Sequence, residues 1–391
     1  MIRVVSLTHE NEMHRILQDL HVDETGIKIM MPKMNPLLLQ LDAVTIPAAN
    51  ILKQEMLSLG GDAALHRGAC DFSVKETGCL LIGSLHHYQR LIKKLSAQPF
   101  GLKKIGKEIK ALLDRYQTRP EPMKLGPYLL NFSKGSILMG ILNVTPDSFS
   151  GDGVGKNIEL ALKKAEKLIA EGADILDIGG ESTRPGASSI NAREEKERVI
   201  PIIKAIAKRF DKPISIDTSK SSIAEEALSS GAHLVNDVTG LLGDERMIMV
   251  LKKWKSPVVV MHHEPASGRA GVMANLCSFF EERMEFLETN GIPSKNIILD
   301  PGIGFGKNSE DNLVVLKRLA ELKSFGRPIL LGTSRKSFIG KILNLEPKDR
   351  IVGTAASLVV GRMNGAHIFR VHDVREAREA LAITEAIQEA E

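Results

Sequence analysis

The C-terminal two thirds of the chain repeat one unit, and this repeat limits the possible folds more than any other feature. From Ser136 onward, an apolar run is followed by a glycine-bearing polar turn and then by a longer amphipathic segment. The runs are SILMGILNV (136–144), DILDIG (174–179), PISID (213–217), HLVND (233–237), PVVVMH (257–262), NIILD (296–300), PILLGTS (328–334) and HIFRVH (367–372). Apolar strands that alternate with helices indicate a parallel sheet covered by helices.

The number of strands favours a closed barrel. A (β/α)8 barrel has eight strands and takes about 250 residues, and the eight runs here lie within the 256 residues from Ser136 to Glu391. The doubly wound open sheet is the alternative fold, since it also alternates strands and helices. We therefore predict an α/β fold of the TIM-barrel type, with outer helices such as those expected at 157–172 and 191–210.

Residues 1–125 have a less regular pattern, which predicts a separate and smaller α/β domain. We expect strands at 2–7, 26–31 and 78–83, and helices near 47–59, 84–96 and 103–115. The segment QTRPEPMKLGP (117–127) is rich in proline and charge, which is typical of a linker. The barrel domain is accordingly predicted to span 126–391. Nothing in the sequence indicates a role for residues 1–125.

Composition narrows the class of protein and its location. The net charge is only +4, so the chain has no bias towards nucleic acid or membrane surfaces. Its three cysteines form no CxxC pair, which favours a reducing compartment. The N-terminal sequence does not resemble a signal peptide, and no stretch approaches the roughly 20 apolar residues of a membrane helix. We expect a cytoplasmic protein.

Polar residues follow every predicted strand, at the end of a barrel where active sites lie. Asp217, Asn236 and Asp300 end three of the strands and would point into the barrel mouth. Two carboxylates and an amide suit a flat heterocycle that carries several N–H donors. Each of the three alone could instead cap the following helix. Their convergence on one mouth favours a binding site.

The last two strands are followed by cationic residues. Lys336, Arg370 and His372 follow the seventh and eighth strands, where barrels often bind phosphate with the help of a helix N-terminus, and a helix would begin near Asp373. Surface ion pairs are the alternative role for such residues, whereas guanidinium and ammonium groups together favour an anion site.

Two further residue types could serve the site or the fold. Asn143 ends the first strand and could offer a hard oxygen to Mg²⁺, or it could cap a turn. His262 and His263 are neighbours that would face opposite sides of a strand, so they do not predict a shared metal site. We expect His262 to lie in the core or in a pocket wall.

The motifs together resemble the dihydropteroate synthase family. NVTPDSF, DIGGESTRPG, IDTSK, LVND, LDPGIGFGK, SRKSFIG and RVHDV occur in the order and with the approximate spacing of that family, over nearly all of residues 130–391. The resemblance implies a transferase of folate biosynthesis. Members condense (7,8-dihydropterin-6-yl)methyl diphosphate with 4-aminobenzoate and release diphosphate and 7,8-dihydropteroate. It also implies a homodimer and competition by sulfonamides.

The resemblance assigns roles to residues at matching motif positions. Asp217, Asn236, Asp300 and Lys336 would hold the pterin, and Lys336 and Ser337 would flank the aminobenzoate. Asn143 would bind Mg²⁺, and diphosphate would meet the stretch Arg370, Val371 and His372. The resemblance implies catalytic roles for Lys336, Arg370 and His372.

Two loops would close over the substrates according to the same resemblance. The first contains Phe149 and Asp152, and the second contains Thr183, Arg184 and Pro185. The chain departs from the family at His263, where many members have methionine, and in its first 125 residues.

Two other functions are compatible with a pterin-binding barrel. A methyltransferase that passes a methyl group to a corrinoid protein would share the Asp and Asn groups but would not need the cations of SRKS and RVHD. A pterin-binding protein without turnover would not need the intact loops. The cations and loops therefore favour the synthase over both.

Overall fold

The computed structural model describes residues 5, 10–145, 157–181, 190–265 and 271–390. The chain divides into two compact units, one up to Gln117 and one from Thr118 to Ala390. The predicted boundary at 125 therefore falls inside the second unit.

The N-terminal unit is an α/β domain, as predicted, with a three-stranded sheet. Its strands are β1 (Pro36–Thr45), β2 (Asp62–Leu65) and β3 (Glu76–Ser84), and its helices are α1 (Glu10–Asp19), α2 (Glu24–Met34), α3 (Ile46–Leu59), α4 (Leu85–Leu95) and α5 (Leu102–Gln117). The strand order is β1-β3-β2, with both pairs antiparallel. Alternate sheet residues such as Leu39, Cys79 and Leu81 share a core with helix residues such as Leu52 and Leu91.

One predicted element of this unit differs from the structure, and two strands were missed. The strand expected at 26–31 is part of α2, because Asp23 caps this helix by accepting bonds from the backbone of Thr25 at 2.9 Å and Gly26 at 3.0 Å. Strands β1 and β2 were not predicted. The predicted strand at 2–7 lies, apart from Val5, outside the described residues.

The second unit confirms the barrel. It contains a hairpin of β4 (Met123–Leu125) and β5 (Tyr128–Leu130), followed by the barrel strands β6 (Ile137–Asn143), β7 (Ile175–Gly179), β8 (Ile214–Asp217), β9 (Leu234–Asp237), β10 (Val258–Met261), β11 (Ile297–Asp300), β12 (Leu330–Leu331) and β13 (Ile368–Val371). The eight-stranded sheet has the order β11-β10-β9-β8-β7-β6-β13-β12. A parallel bridge between Leu299 and Ile329 joins its two edges. The sheet is therefore closed, which excludes the open alternative.

Helices cover the outside of the barrel. They are α6 (Ile158–Ala170), α7 (Ala192–Arg209), α8 (Ser221–Ser229), α9 (Met247–Trp254), α10 (Gly271–Thr289), α11 (Ser309–Lys317), α12 (Ser337–Leu343), α13 (Ile351–Met363) and α14 (Val374–Glu389). Outward strand residues such as Leu142, Ile178 and Phe369 share one core with inward helix residues such as Ala165 and Ile203. No helix of the described ranges is long and apolar enough to cross a bilayer.

The hairpin of β4 and β5 closes the N-terminal end of the barrel. Met123, Leu125 and Phe132 are buried in one cluster with the first inward residues of the strands, such as Ile175 and Ile298. The prediction of a linker at 117–127 is therefore wrong for its second half. Met123 and Leu125 are two residues apart, so both side chains leave the hairpin on the same face and enter the barrel floor.

Two histidines fasten the same end of the barrel. Nδ1 of His233 accepts from the backbone N–H of Ile214 at 3.3 Å, and Nδ1 of His367 accepts from that of Ile329 at 3.2 Å. Each ring also makes an edge contact with an aromatic ring, His233 with Tyr128 and His367 with Phe132. Both bonds require an unprotonated Nδ1. Burial lowers the pKa of both histidines, and that of His367 falls to about 4.

Acid should therefore destabilise the barrel over a defined range. In the unfolded chain His367 binds a proton below pH 6.5, whereas the folded chain resists protonation until about pH 4. Its contribution is complete above pH 6.5 and is lost as the pH falls towards 4. We expect a loss of at most about 2 kcal/mol between pH 7.5 and 5. Urea unfolding followed by Trp254, the only tryptophan, measures it.

His367→Gln should show a smaller difference in unfolding free energy between the two pH values than the wild-type chain. His21→Gln, which changes an exposed histidine of the N-terminal unit, serves as the control and should leave the difference unchanged. The same pH dependence in all three proteins would contradict the assignment.

Candidate active site

The interior of the barrel changes from apolar to polar along each of several strands. Inward-facing residues alternate along a strand, so the next inward residue lies two positions further on. The pairs, from floor to mouth, are Ile175 and Asp177, Leu234 and Asn236, Ile298 and Asp300, and Ile368 and Arg370. The first member of each pair belongs to the apolar floor. The mouth is consequently lined by carboxylates, an amide and a guanidinium group.

Arg370 joins two carboxylates at the centre of this mouth. Its Nε lies 2.6 Å from Oδ2 of Asp177, and its Nη2 lies 2.7 Å from Oδ2 of Asp217. Asn236 donates from Nδ2 to the same Asp177 oxygen at 3.4 Å. Strands β7, β8, β9 and β13 thus meet in one polar network. It brings together three predicted site residues, Asp217, Asn236 and Arg370.

Asp177 belongs to this network but was not predicted. It is fully buried, and its carboxylate contacts Arg370 directly. The signal was present in DILDIG, because a second charged residue inside a buried strand must face either the helices or the barrel interior. Counting two positions from Ile175 places it inside.

The network leaves several buried acceptors without a hydrogen-bond partner among the described residues. They are Oδ1 of Asp177, Oδ1 of Asp217 and Oδ1 of Asn236. Buried polar atoms in proteins are nearly always paired. Three unpaired acceptors at one barrel mouth therefore fit a ligand that carries several N–H donors, as the sequence predicted.

The charges of the network depend on one another. Burial raises the pKa of Asp217 to about 7, although the nearby Arg370 opposes this shift. Burial alone would lower the pKa of Arg370, but Asp177 and Asp217 raise it overall. The guanidinium therefore stays charged, and it is the group that permits carboxylates to be buried here.

Asp300 lies at the end of β11 and begins a loop that approaches the neighbouring strand closely. Its Oδ1 accepts from the backbone N–H of Gly302 at 2.7 Å, and burial raises its pKa. Gly302 has φ of +65°, and a Cβ there would lie 1.9 Å from the carbonyl oxygen of His262. Only glycine permits this approach, so the loop is fixed against the end of β10.

Lys307 stabilises the same loop through hydrogen bonds to backbone carbonyl oxygens. Its Nζ lies 2.9 Å from Nδ1 of His262, and it donates to the carbonyl oxygens of His262, Gly302 and Phe305 at 3.1 to 3.2 Å. Burial lowers the pKa of His262 to about 3, so its ring is neutral and can accept. His262 is buried against Phe279, in agreement with its predicted place in the core. Lys307 was not predicted as a functional residue.

Lys336 reaches the mouth from the loop after β12. Its Nζ lies 3.9 Å from the centre of the Phe305 ring. Gly304 provides the space, because a Cβ at that position would lie 2.9 Å from Cδ of Lys336. Ser337 follows as the first residue of α12 and is exposed. The structure thus brings Lys336 next to the Asp300 loop.

His372 and Val371 follow Arg370 but face different sides. His372 is held by Ser334, whose hydroxyl lies 2.9 Å from Nδ1 and also accepts from the His372 backbone N–H at 3.2 Å. Val371 is fully buried in the core between strands and helices. Its predicted contact with substrate is therefore wrong for the side chain, since neighbours of the inward-facing Arg370 must face outward.

Asn143 is half-buried at the mouth end of β6. Within the described ranges, no group of three His, Cys, Asp or Glu residues could hold a metal ion. A single amide oxygen suits an ion that keeps most of its water, as Mg²⁺ does. The other predicted residues, Phe149, Asp152, Thr183, Arg184 and Pro185, lie outside the described residues.

Comparisons with known proteins show the family of this chain. The profile of the pterin-binding enzyme family matches residues 139–372. A dihydropteroate synthase of Clostridium beijerinckii is 46% identical over 266 residues, which are 68% of this chain and 99% of that protein. The crystal structure of Yersinia pestis dihydropteroate synthase in a sulfonamide drug complex superposes with a TM-score of 0.67 and 40% identity, covering 69% of this chain and 100% of that one.

Fold, site and profile define a pterin-binding barrel enzyme. The matches cover almost the whole length of known dihydropteroate synthases, so the family can be assigned more specifically. The chain belongs to the dihydropteroate synthase family, which consists of transferases of folate biosynthesis.

A match to another relative extends beyond the barrel unit. A probable bifunctional folylpolyglutamate synthase/dihydropteroate synthase of Halobacterium salinarum is 37% identical over 346 residues, which are 86% of this chain and 41% of that protein. The barrel unit, Thr118–Ala390, makes up only about 70% of the chain. The match therefore extends into the N-terminal unit.

The central ion pairs generate a test of the network. Arg370→Met would leave Asp177 and Asp217 buried without their shared partner, and removal of one partner of a buried pair costs about 3 kcal/mol or more. We expect the free energy of unfolding to fall by about that amount. Adding Asp177→Asn should restore part of it, because one of the two uncompensated charges disappears. Chemical denaturation of both variants measures the change.

Arg318→Met is the matched control, because Arg318 pairs with Glu321 on the surface, where the two side chains are 53% and 42% exposed. Its effect should stay below about 1 kcal/mol. Equal losses for Arg370→Met and Arg318→Met would show that the buried network does not stabilise the barrel.

Proposed function

We propose that this chain condenses (7,8-dihydropterin-6-yl)methyl diphosphate with 4-aminobenzoate to give 7,8-dihydropteroate and diphosphate. The observation that carries the proposal is the set of buried acceptors on Asp177, Asp217 and Asn236 that have no partner among the described residues and lie beside the cation Arg370. Acceptors and cations at one mouth match a substrate with N–H groups at one end and phosphates at the other. Membership of the synthase family agrees with this reaction.

In the proposed complex, the pterin lies over the carboxylates. Asp217, Asn236 and Asp300 accept from its N–H groups, and the Nζ of Lys336 contacts its ring system from the side of Phe305. The raised pKa values of Asp217 and Asp300 fit this role, because a buried carboxyl gains when a ligand supplies hydrogen bonds to its charged form.

The diphosphate lies towards Arg370 and His372. A guanidinium group has five N–H donors, and the contacts to Asp177 and Asp217 use two of them. The others remain for phosphate oxygens. His372 lies beside α14, whose N-terminus adds a favourable field for an anion. Asn143 would hold a Mg²⁺ ion together with the substrate, and the ion would neutralise part of the diphosphate charge.

The reaction exchanges one bond for another. The aniline nitrogen of 4-aminobenzoate forms a C–N bond to the methylene group as the C–O bond to diphosphate breaks, and the nitrogen then loses a proton. Fixed cations stabilise the charge that develops on the departing oxygen. In the proposed complex Lys336 and Ser337 flank the aminobenzoate. Its site is proposed to be completed by Thr183, Arg184, Pro185, Phe149 and Asp152.

The direct test is an assay of the purified chain. Dihydropterin methyl diphosphate, 4-aminobenzoate and Mg²⁺ should yield dihydropteroate and diphosphate, and a sulfonamide should compete with the aminobenzoate. The methyltransferase alternative is disfavoured because it gives no role to the cations of the mouth. Folded protein that forms no product would contradict the proposal.

The role of Asp217 can be tested by binding alone. Asp217→Asn replaces one carboxylate oxygen by an NH₂ donor where an acceptor is needed. We expect the dissociation constant for a pterin analogue to rise at least tenfold, which is about 1.4 kcal/mol. Calorimetric titration measures it. Asp211→Asn, at a residue that binds Tyr128 at the opposite end of the barrel, is the control and should bind normally.

We further propose a homodimer that forms through α13 and α14. Val352, Val360 and Met363 lie along one face of α13 and are 80%, 42% and 63% exposed, and Ile383 and Ile387 on α14 are 65% and 71% exposed. The two helices pack together, and Arg362 pairs with Glu385 across them at 3.3 Å. Exposed apolar faces of this extent mark protein interfaces.

Charges on this face should separate the subunits. We expect the combined variant Val352→Glu and Met363→Glu to elute with the mass of one 42.8 kDa chain, and the wild type with about twice that mass, in chromatography with light scattering. Met249→Glu changes an equally exposed methionine of α9 and should leave the dimer intact. A dimer in all three proteins would contradict the assigned face.

A cytoplasmic location is part of the same proposal. Cys70, Cys79 and Cys277 form no disulfide bond with one another, which fits a reducing compartment.

A further inference from the structure

The backbone between Ser334 and Lys336 adopts a conformation that its sequence disfavours. Arg335 has φ of +56°, in the left-handed region that costs a residue with a side chain roughly a factor of ten in population. The turn is tight, because the backbone N–H of Lys336 donates to the carbonyl oxygen of Thr333 at 3.2 Å. Such conformations persist only where surrounding contacts enforce them.

The side chain of Arg335 supplies one of these contacts. Its Nε and Nη2 donate to the two carboxylate oxygens of Asp373 at 3.0 and 2.6 Å, and both side chains are largely buried. Asp373 immediately precedes α14, where aspartate normally caps the helix, yet its side chain makes no capping bond. The carboxylate is used for Arg335 instead.

The backbone of Arg335 is held as well. Its N–H donates to the hydroxyl of Thr354 at 3.1 Å, and its carbonyl oxygen accepts from Nη1 of Arg350 at 2.9 Å. The residue is thus fixed from α13, from the turn before α13 and from the start of α14.

Both neighbours of Arg335 in the chain make contacts at the barrel mouth. Ser334 holds the imidazole of His372 through a 2.9 Å contact, and Lys336 lies over Phe305. The left-handed turn directs these two adjacent residues to their separate partners. A different φ at Arg335 would rotate one of them away.

We propose that Arg335 is a positioning residue of the active site, which fixes this turn through its ion pair with Asp373 and thereby sets both Lys336 and the Ser334–His372 pair. The proposal rests on the roles proposed above for Lys336 and His372. Asp373 neutralises the guanidinium, so the effect passes through the backbone and not through a direct contact with substrate.

Three variants test the proposal: Arg335→Ala, Arg335→Gly and Asp373→Asn. Because small displacements of reacting groups cost up to about a hundredfold in rate, Arg335→Ala should lower kcat/KM by about 10- to 100-fold, measured well below the unfolding temperature. Arg335→Gly should retain about tenfold more activity than Arg335→Ala, because glycine adopts a positive φ without penalty. Asp373→Asn should resemble Arg335→Ala.

Recovery by glycine distinguishes positioning from a contribution to stability. A purely stabilising ion pair would be lost equally in both variants, and kcat/KM of the folded protein would not change in either. Arg246→Ala is the matched control, because Arg246 pairs in the same bidentate manner with Asp244 at 3.0 and 3.2 Å and is 71% exposed. It should leave kcat/KM at the wild-type value.

A crystal structure of Arg335→Ala gives a readout that does not depend on activity. We expect Lys336 to leave the Phe305 ring or His372 to lose its contact with Ser334. If both contacts are unchanged, or if kcat/KM of Arg335→Ala equals that of the wild type, the proposal is wrong. A wild-type chain that forms no product would overturn the proposed synthase function, whereas the crystal structure would still decide the role of Arg335.

Discussion

The ion pairs of Arg370 with Asp177 and Asp217 are the constraint on which the site depends. Carboxylates inside a barrel lose their hydration, and without a cation they would take up protons. One guanidinium lies within 2.7 Å of both, which keeps it charged and joins three strands at the level where the interior becomes polar. The network therefore sets where the apolar floor ends, and with it the depth of the binding site. In the proposed complex the same guanidinium also donates to the diphosphate, so one residue would link the carboxylate-lined pocket to the proposed anion site.

The opposite end of the barrel, its floor, is apolar where the mouth is polar. A hairpin fills the floor with Met123, Leu125 and Phe132, and two neutral histidines accept hydrogen bonds from the strand-end N–H groups of Ile214 and Ile329. Apolar packing and these histidine hydrogen bonds thus lie at the end away from the mouth. This separation explains how a barrel can keep unpaired acceptors and a strained turn at one end, since buried polar groups and backbone strain must be offset elsewhere in the fold.

Much of this architecture could be predicted from sequence because each barrel strand is buried on both faces and thus forms a continuous apolar run. All eight runs contain a strand. The candidate residues Asp217, Asn236 and Asp300 were predictable because they lie at the ends of apolar runs, where barrels place their sites. Asp177 was missed because it lies inside its run, where only the two-residue period reveals it. Val371 was misplaced because the motif RVHD does not show which of its members face outward.

In the N-terminal unit, the short apolar run at 26–31 suggested a strand, but the Asp23 cap made it a helix. The hairpin was missed because proline and charge at 119–122 concealed the alternation of Met123 and Leu125.

Lys336 shows why local sequence could not supply the remaining geometry. A flexible lysine side chain has many rotamers, and holding it in one place requires support from residues far apart in the chain. Three otherwise unrelated features supply that support. Gly304 provides the space for its side chain, Lys307 fixes the loop that carries Phe305, and the left-handed turn at Arg335 directs the backbone. Lys307 uses an ammonium group to hold carbonyl oxygens, and Arg335 uses a carboxylate that would otherwise cap a helix. A buried ammonium group and a helix start without its capping bond are each unfavourable alone. Both help to fix the position of Lys336. The placement of Lys336 is therefore a property of two loops, those after β11 and β12, which come together only when the barrel closes.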